Sequence, residues 1–375
     1  MTAADPFDAD VCELLRELIR CDSVNPPGNE VTVADALERY LRRSVVGTWR
    51  SEVLPGRPNL YARVGSGSPT VLLNGHMDTV PAGVDWTRDP FGGELVDGRI
   101  YGRGACDMKG GVAACAVVLA RLAARATPIR GSVVLAAVMD EERGARGAKH
   151  VVGHDGITAD AAIVAEPTQM RLVTSTNGQL NFAVRLHGLA AHSSEPALGH
   201  SAISDARRLA DALESHEPPY LVGSIAGGVA PNVVPAACEL AIDRRVRVHE
   251  TLAEVEAEFA ALLDSATGQA PRRGEYETPL AVPPVSLAAD HRVSRTIART
   301  LGQEPPFGHS EQTMDASWFA DAGIPTVVLG PGDPRQAHQA DEHILVEDLV
   351  EGTGLLERVV VELLEALATR TVGRS

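Results

Sequence analysis

The sequence has few cysteines, no long apolar run and no excess of positive charge. Its five cysteines form no CxxC pair, and such an odd, scattered set is typical of a reduced, cytoplasmic protein. The longest apolar stretch, residues 112–120, is too short to cross a bilayer, so we expect a buried helix there. Residues 1–10 are acidic and lack an apolar core, so we expect no signal peptide.

The charge balance excludes some classes of partner. The 50 acidic residues outnumber the 34 basic ones, which gives a formal net charge of −16. A surface of that sign repels the phosphates of nucleic acids and of anionic membranes, so we expect neither as a partner. With 375 residues, 44% of them hydrophobic, the chain is long enough for a large core and two domains.

Helices and strands are expected to alternate along most of the chain. Helices are predicted at 11–19, 31–45, 111–126 and 349–367, and apolar strands at 60–64, 70–74, 132–139, 161–165 and 324–329. Unbroken apolar strands between helices indicate an α/β sheet covered on both faces. We therefore predict a discontinuous domain, residues 1–177 and 285–375, with a mixed, mainly parallel sheet covered by helices.

The middle of the chain follows a different pattern. Apolar residues alternate at Leu180, Phe182 and Val184, as on a half-exposed strand. The segments that follow give the element order β-α-β-β-α-β, which is that of a ferredoxin-like unit. We therefore predict an inserted α+β domain at residues 178–284.

Carboxylate and imidazole groups occur in five short segments, most of them directly after an apolar run. Parallel strands deliver their carboxyl ends to one edge of a sheet, so these side chains are expected to meet there. His, Asp and Glu are the ligands of sites for two hydrolytic metal ions. The five segments are residues 75–78, 104–107, 140–142, 165–167 and 337–339.

Taken singly, each segment has a simpler interpretation. His76 and Asp78 share a face of extended backbone, so Asp78 could accept a hydrogen bond from a metal-binding imidazole; the alternative is a surface turn. The acids at 140–142 repel one another unless a cation or strong donors offset them; the alternative is a solvated acidic turn. Glu166 is uninformative alone, and His338 alone suggests a surface histidine.

The glycine-rich segment 101–111 differs from a phosphate-binding loop. It lacks the GxGxxG and GxxxxGK spacings of phosphate-binding loops, and Asp107 lies where phosphate would approach. An aspartate at that place favours a cation. The neighbouring Cys106 is an alternative zinc ligand, which we disfavour because thiolate ligands usually come with other Cys or His close by.

Jointly, these segments resemble the motifs of the M20 metallopeptidases, which include acetylornithine deacetylase, succinyl-diaminopimelate desuccinylase, aminoacylase-1 and the glutamate carboxypeptidases. The resemblance runs in order from residues 23–30 to 341–343, nearly the whole chain. It implies a zinc-peptidase-like catalytic domain with an inserted lid and dimerisation domain. It also implies a dinuclear site for zinc or cobalt.

The resemblance assigns five side chains to the two ions. His76, Asp107 and Glu166 match the ligands of one ion. Asp107 also matches the bridging position, and Glu142 and His338 match the ligands of the second ion.

The resemblance further implies how a catalytic group would be arranged. Asp78 matches the partner of the first histidine, and Glu141 matches the general base that takes a proton from a metal-bridging water to give the attacking hydroxide. In relatives the peptide bond after the bridging aspartate is commonly cis, which is Asp107–Met108 here.

Residues that match substrate contacts lie in both predicted domains. His192 resembles a histidine that reaches the partner subunit's active site, which implies a homodimer through the inserted domain. Asn232 and Arg245 resemble contacts to the substrate carboxylate and the oxyanion, and Gly330 and Gly332 resemble a backbone element of the same pocket. The alternatives for His192 and Arg245 are a lid surface residue and an ordinary salt bridge.

Two departures from the family pattern concern specificity. Relatives often have Thr-Asp-Ala where Thr313 and Asp315 here flank Met314, and the proline that commonly follows Arg245 is missing. Both lie near substrate-contacting regions and leave the metal-ligand pattern intact.

The expected activity is hydrolysis of the amide of an N-acyl-L-amino acid, as in acetylornithine deacetylase. A guanidinium such as Arg245 pairs with a carboxylate, so the expected substrate is a small N-acyl amino acid or a short peptide. A desuccinylase, dipeptidase or carboxypeptidase of the same family is the alternative. A different class, a metal-binding scaffold dimer without catalysis, also remains open.

Overall fold

The structure is a computed structural model that describes residues 6–44, 46–268 and 274–369. Val45, the predicted end of the second helix, and residues 1–5 of the acidic N-terminal segment lie outside the described residues. The chain divides into two compact units. Unit 1 comprises Met1–Ser175, Ser286–His309 and Met314–Ser375, and unit 2 comprises Thr176–Val285 and Ser310–Thr313.

The described chain contains strands and helices that are numbered separately, each in chain order. The strands are β1 (Gly47–Leu54), β2 (Arg57–Ser66), β3 (Thr70–His76), β4 (Glu94–Val96), β5 (Arg99–Tyr101), β6 (Gly131–Val138), β7 (Ala161–Val164), β8 (Val173–Thr176), β9 (Gly178–His187), β10 (Leu221–Gly227), β11 (Ala237–Val246), β12 (Gly274–Val282), β13 (Val285–Ser286), β14 (Gly308–Ser310), β15 (Thr326–Val328) and β16 (His343–Leu345). The helices are α1 (Pro6–Arg20), α2 (Glu30–Arg43), α3 (Lys109–Ala124), α4 (Arg146–Gly153), α5 (Ala202–Glu214), α6 (Leu252–Thr267), α7 (Arg292–Leu301), α8 (Ala316–Asp321) and α9 (Val346–Ala368).

The main sheet has the strand order β1-β2-β6-β3-β7-β15-β8-β13, with β14 beside β8. Its centre, β6-β3-β7-β15, is parallel, whereas β1 and β2 add an antiparallel edge. Buried side chains of β3 and β6 share one core with α1, α2, α3 and α9. On other residues of the same strands, Leu72 and Val134 are also buried, and α4 and α8 contact strands of this sheet. The predicted α/β class, with a mainly parallel sheet covered by helices, is confirmed.

Helix α3 contains the longest apolar stretch of the sequence. Residues 112–120 are buried throughout, as predicted, because the helix packs against α1, α9 and β3. Among the helices that the structure describes, none combines the length and the apolarity needed to cross a membrane.

Unit 2 is built on a four-stranded antiparallel sheet with the order β10-β11-β9-β12. Its elements follow the chain as β9-α5-β10-β11-α6-β12, the predicted ferredoxin-like order. Alternate residues of β9 face the core, where Phe182 stacks on Phe259 of α6 with ring centroids 3.8 Å apart. The short segment Ser310–Thr313 joins this unit, although the sequence pattern placed it in the other domain.

Some elements carry no signal in the sequence pattern. Strand β1 shows only partly buried and exposed side chains, and β4, β5 and β16 form a separate three-stranded sheet of very short strands. Such strands lack the apolar run or the alternation on which sequence reasoning depends. The predicted strand 60–64 is longer, Arg57–Ser66. Its start includes the buried polar Asn59 and its end the exposed Gly65 and Ser66, none of which continues an apolar run.

Candidate metal centre

The carboxyl ends of the central parallel strands carry the predicted ligand side chains. Strand β3 ends at His76, β6 ends just before the acids at 140–142, and β7 ends just before Glu166. The glycine before His76 lets α3 approach, since a Cβ on Gly75 would lie 2.8 Å from a methyl group of Val112. The parallel pairing of β3 with β6 and β7 therefore brings these groups to one edge of the sheet.

The first cluster of ligand-type groups surrounds His76, which is 1% exposed. Its Nε2 atom lies 3.3 Å from Oδ1 of Asp107 and 3.6 Å from Oε1 of Glu166. Bonds of about 2.0–2.1 Å to one tetrahedral zinc ion place neighbouring ligand atoms roughly 3.3 Å apart. The three groups thus have the spacing of ligands to a single ion.

The second cluster surrounds His338. Its Nε2 atom lies 3.3 Å from Oδ2 of Asp107 and 3.2 Å from Oε2 of Glu142. Asp107 therefore presents one carboxylate oxygen to each imidazole. Ligand atoms of His76, Asp107 and Glu142 also lie within 4.8 Å of one another, so the two clusters are contiguous.

The electrostatics of the site fit divalent cations. Burial raises the pKa of Glu141 and of Glu166 well above the usual range, and neighbouring carboxylates raise both further. Burial also raises the pKa of Asp107, but hydrogen bonds from His338 and His76 outweigh it and hold that pKa below its usual range. Hydrogen bonds to Asp107 and Glu142 raise the pKa of His338 to about 10. Divalent cations would relieve the repulsion among these carboxylates and would replace the protons on the imidazoles, so the donor set fits metal ions.

Asp78 holds the backbone of the neighbouring acids. Its Oδ1 accepts from the N–H of Glu141 at 3.0 Å, and its Oδ2 accepts from the N–H of Glu142 at 3.2 Å and from Asn25 at 2.8 Å. The expected imidazole–carboxylate hydrogen bond is not formed. His76 Nδ1 instead contacts the backbone carbonyl oxygen of Asp78 at 2.9 Å, against 3.6 Å to the carboxylate, which is engaged by the two N–H groups.

Asp140 is the first of the three adjacent acids at 140–142, and its surroundings decide between the two interpretations of this segment. Asp140 has a positive φ of 69° and turns into the protein, where it is fully buried. Its carboxylate accepts from Arg57, Arg146 and Asn25. Despite burial, these contacts hold the pKa of Asp140 below its usual range. The segment is therefore not a solvated acidic turn.

Cys106 does not belong to the ligand groups. Its thiol is buried and donates to the carbonyl oxygen of Asp333 at 3.2 Å. Burial raises the pKa of the Cys106 thiol well above its usual value, which disfavours the thiolate that a zinc ligand requires.

The predicted pocket glycines lie close to the ligand loops. A Cβ on Gly330 would lie 2.3 Å from the carbonyl oxygen of Ala165, just before Glu166. Gly332 has a φ of 95°, and a Cβ there would lie 2.7 Å from Cys106 Sγ. Both positions therefore require glycine for close packing. Asp315, at the start of α8, is also fully buried, and burial raises its pKa to about 7.

The remaining predicted residues lie in unit 2. His192 is exposed, and its Nδ1 accepts from the N–H of Ser194 at 3.1 Å. The segments of His192 and Asn232 are adjacent, since Ser193 N–H donates to the Asn232 carbonyl oxygen at 3.0 Å. Arg245 lies on β11, where it donates to Thr313 Oγ1 at 3.2 Å. It also pairs with Asp243 at 3.3 Å, which is the salt bridge expected under the simpler interpretation.

Away from the two clusters around His76 and His338, another group of ligand-type side chains is formed by His150, His154 and Asp155. The two imidazole rings are stacked, with centroids 4.2 Å apart and an interplanar angle of 18°. Because nitrogen lone pairs lie in the ring plane, stacked rings cannot direct them at one ion. Asp155 accepts from Ser51 at 2.9 Å and from Tyr61 at 2.5 Å. We therefore interpret this group as a hydrogen-bond cluster.

Two residues near the centre, Asn25 and Glu342, receive no role from the sequence pattern. Asn25 links Asp78 to Asp140, at 2.8 and 2.9 Å. Glu342 lies within the motif at 341–343, but its complete burial, which would mark it as important, is not visible in the sequence.

The peptide bond Asp107–Met108 is cis, as the resemblance implied.

Comparison with known proteins supports the resemblance. Residues 72–362 match the model of peptidase family M20/M25/M40. Acetylornithine deacetylase of Proteus mirabilis is 33% identical over 317 residues, which cover 77% of this chain and 78% of that protein. Succinyl-diaminopimelate desuccinylase of Methylobacterium nodulans is 33% identical over 384 residues, which cover 92% of this chain and 94% of that protein.

A solved structure extends the likeness to the fold. The YXEP protein of Bacillus subtilis, described as a dinuclear metal-binding peptidase of the M20 family, superposes with a TM-score of 0.71 at 18% identity. The match covers 96% of this chain and 99% of that one. Since the family model matches most of the chain and the relatives are similar over most of their length, the chain belongs to peptidase family M20/M25/M40 and is a hydrolase.

Proposed function

We propose that this M20 hydrolase is a dinuclear zinc-dependent amidohydrolase that cleaves the amide of an N-acyl-L-amino acid. The observation that carries the proposal is the pair of imidazole–carboxylate clusters that share Asp107. The identity to acetylornithine deacetylases, 33% for that of Proteus mirabilis, supports the deacylase reaction.

His76, Asp107 and Glu166 would hold one ion, and Asp107, Glu142 and His338 would hold the other. The donors are nitrogen and oxygen atoms, a set that suits zinc and also cobalt. Such ions lower the pKa of water and polarise a carbonyl group.

Glu141 is proposed as the general base. Asp78 fixes its backbone through the 3.0 Å hydrogen bond, while the adjacent Glu142 contacts His338. Two neighbouring carboxylates thereby take separate tasks, one toward a ligand position and one toward the proton of the attacking water. Glu141 would accept that proton and pass it to the leaving amine.

Substrate contacts are proposed for residues of unit 2 and for Gly330 and Gly332 of unit 1. The guanidinium of Arg245, whose side chain is 47% exposed, would pair with the substrate carboxylate. Asn232, whose segment is adjacent to that of His192, is proposed as a further substrate contact. Because Nδ1 of His192 accepts a hydrogen bond from a backbone N–H, its Nε2 is free to carry the ring proton. In the proposed homodimer this Nε2–H would donate to the oxyanion in the other subunit's site. The backbone of Gly330 and Gly332 would line the same pocket.

A homodimer through unit 2 is part of the proposal. Strand β10 is an edge strand, and it exposes Leu221 at 64% and Ile225 at 52%. Val229, directly after this strand, is 88% exposed. Exposed apolar side chains along an unpaired edge favour pairing with a second copy. Light scattering should give twice the chain mass, and Ile225→Lys should give monomers. A monomeric wild-type protein would contradict the dimer.

A substrate panel tests the reaction. Zinc-loaded protein should release acetate from N-acetylornithine and other N-acetyl amino acids faster than it cleaves N-succinyl-diaminopimelate or a dipeptide. The second candidate, a desuccinylase, is favoured by the 33% identity that covers 92% of this chain, and faster cleavage of the succinyl substrate would establish it. A protein that binds two ions but cleaves no member of the panel would be a scaffold. We also propose a cytoplasmic location, supported by the odd cysteine count.

A further inference from the structure

Glu342 lies behind the loop that carries Asp107. It immediately precedes β16 and is 0% exposed. Its Oε1 atom accepts from the N–H groups of Cys106 at 2.9 Å and Asp107 at 3.0 Å. Its Oε2 atom accepts from the N–H of Gly104 at 3.1 Å. One carboxylate thus accepts from three backbone donors of the same loop, including the N–H of Asp107 itself.

Arg103 completes this arrangement. The residue is 2% exposed, and its Nη1 atom donates to Oε2 of Glu342 at 2.7 Å. Its Nη2 atom donates to the carbonyl oxygen of Ala82 at 3.1 Å, and its guanidinium lies 5.2 Å from the centre of the Trp86 ring. The charge of the buried carboxylate is therefore balanced by a cation that is itself fixed on two other sides.

Glu342 also joins two loops that carry different ligands. Its backbone carbonyl oxygen accepts from Gly102 N–H at 2.9 Å, at the start of the Asp107 loop. His338 lies four positions earlier on the loop of Glu342. Between them, Asp341 accepts from the N–H of Thr87 at 2.9 Å. The position of Asp107 relative to His338 is therefore set through Glu342.

The conformation of the Asp107 loop needs this support. Gly104 has a φ of 84°, and a Cβ there would lie 2.7 Å from Thr79 Cγ2. A loop in this conformation makes few hydrogen bonds of its own, so its buried N–H groups depend on an outside acceptor. Any rotation of the Asp107 backbone would move both carboxylate oxygens, which lie 3.3 Å from the two imidazoles.

We propose that Glu342, together with Arg103, is a positioning residue that sets the orientation of the Asp107 carboxylate between the two metal positions. The inference rests on the proposed metal-dependent function. Glu342 contacts no proposed substrate group and acts through Asp107. Its effect should therefore appear in metal binding before any substrate is added.

The test variant is Glu342→Gln, which keeps the shape but turns an NH₂ group toward backbone N–H donors. Groups that orient metal ligands typically change metal affinity or activity by about 10–100-fold. We expect a loss in this range for Zn²⁺, measured by competition with a chromophoric chelator. We also expect an altered visible spectrum of the Co²⁺-loaded protein, because the Asp107 oxygens move.

The matched control is Glu38→Gln in the same unit. The Glu38 carboxylate likewise accepts from three donors, namely Arg42 at 2.8 Å, Thr48 at 2.9 Å and Arg50 at 2.7 Å. The Glu38→Gln variant should have a lower free energy of unfolding, with unchanged zinc affinity and an unchanged cobalt spectrum.

If Glu342→Gln does not fold, Arg103→Lys carries the test. This variant keeps the charge but loses the planar fork, and we expect about a tenfold loss of zinc affinity, at the lower end of that range. Wild-type affinity and an unchanged cobalt spectrum in the folded variant would overturn the inference. Failure of the wild-type protein on the amide panel would refute the proposed reaction alone, because the metal measurements involve no substrate.

Discussion

Asp78→Asn tests which group holds the imidazole of His76. In the structure the imidazole Nδ1 contacts the Asp78 carbonyl oxygen at 2.9 Å, so its partner survives the substitution. If the Asp78 carboxylate were the partner, metal affinity would fall about 10–100-fold. We expect nearly unchanged zinc affinity.

The magnitude of the remaining effect follows from the hydrogen bonds of Asp78. An asparagine can keep its oxygen at the Oδ2 position, which accepts two donors, Glu142 N–H and Asn25. Its NH₂ group then faces the N–H of Glu141, which loses its 3.0 Å acceptor. A buried donor without an acceptor costs about 1–3 kcal/mol, so the free energy of unfolding should fall by that amount.

The expected signature is therefore a lower kcat and a lower stability at constant metal affinity. The assays are chelator competition, steady-state hydrolysis of an N-acetyl amino acid and urea unfolding. Asp155→Asn is the matched control, since it removes a partly buried carboxylate that accepts from Ser51 and Tyr61 and should affect stability alone. A large loss of zinc affinity with unchanged unfolding would refute the backbone-carbonyl assignment.

Three further predictions concern other groups. Glu141→Gln should keep both metals and lower kcat by about 10²–10⁴-fold, because the general base is lost. The assay is acetate release from an N-acetyl amino acid, and near-normal turnover would refute the role of Glu141 as the base. His192→Ala should lower kcat with the zinc content intact, and unchanged turnover would remove His192 from the site. Burial raises the pKa of Asp155, but its hydrogen bonds from Tyr61, His154 and Ser51 outweigh this and hold the pKa below its usual range. The stability from these bonds is present above the unfolded pKa of about 3.9 and lost as the pH falls through the folded pKa, so unfolding free energies of wild type and Asp155→Asn should converge in acid; a difference that persists there would contradict this.

The centre of the fold could be predicted because it is recorded in local patterns. The apolar runs at β3, β6 and β7 are nearly fully buried, and a run of that kind between helices is typical of a central parallel strand. Strand β1 and the small sheet of β4, β5 and β16 could not be predicted, because their side chains are partly exposed or their strands have only three residues.

The convergence of the five ligand-type side chains could be predicted from motif order, whereas the contacts that support them could not. His76 is the last residue of β3 and Glu166 comes just after β7, and the apolar runs of both strands are visible in the sequence. The contacts of Asp140 with Arg57, and of Glu342 with the Asp107 loop, join segments far apart in the chain. Such contacts depend on how irregular loops converge, for which neither periodicity nor spacing gives a signal.

The most direct test of the dinuclear centre is anomalous diffraction at the zinc edge from crystals of the zinc-loaded protein. We expect two peaks per chain, one bounded by His76 and Glu166 and the other by His338 and Glu142, with Asp107 in contact with both. A single peak, or two ions of which only one contacts Asp107, would contradict the shared-carboxylate arrangement.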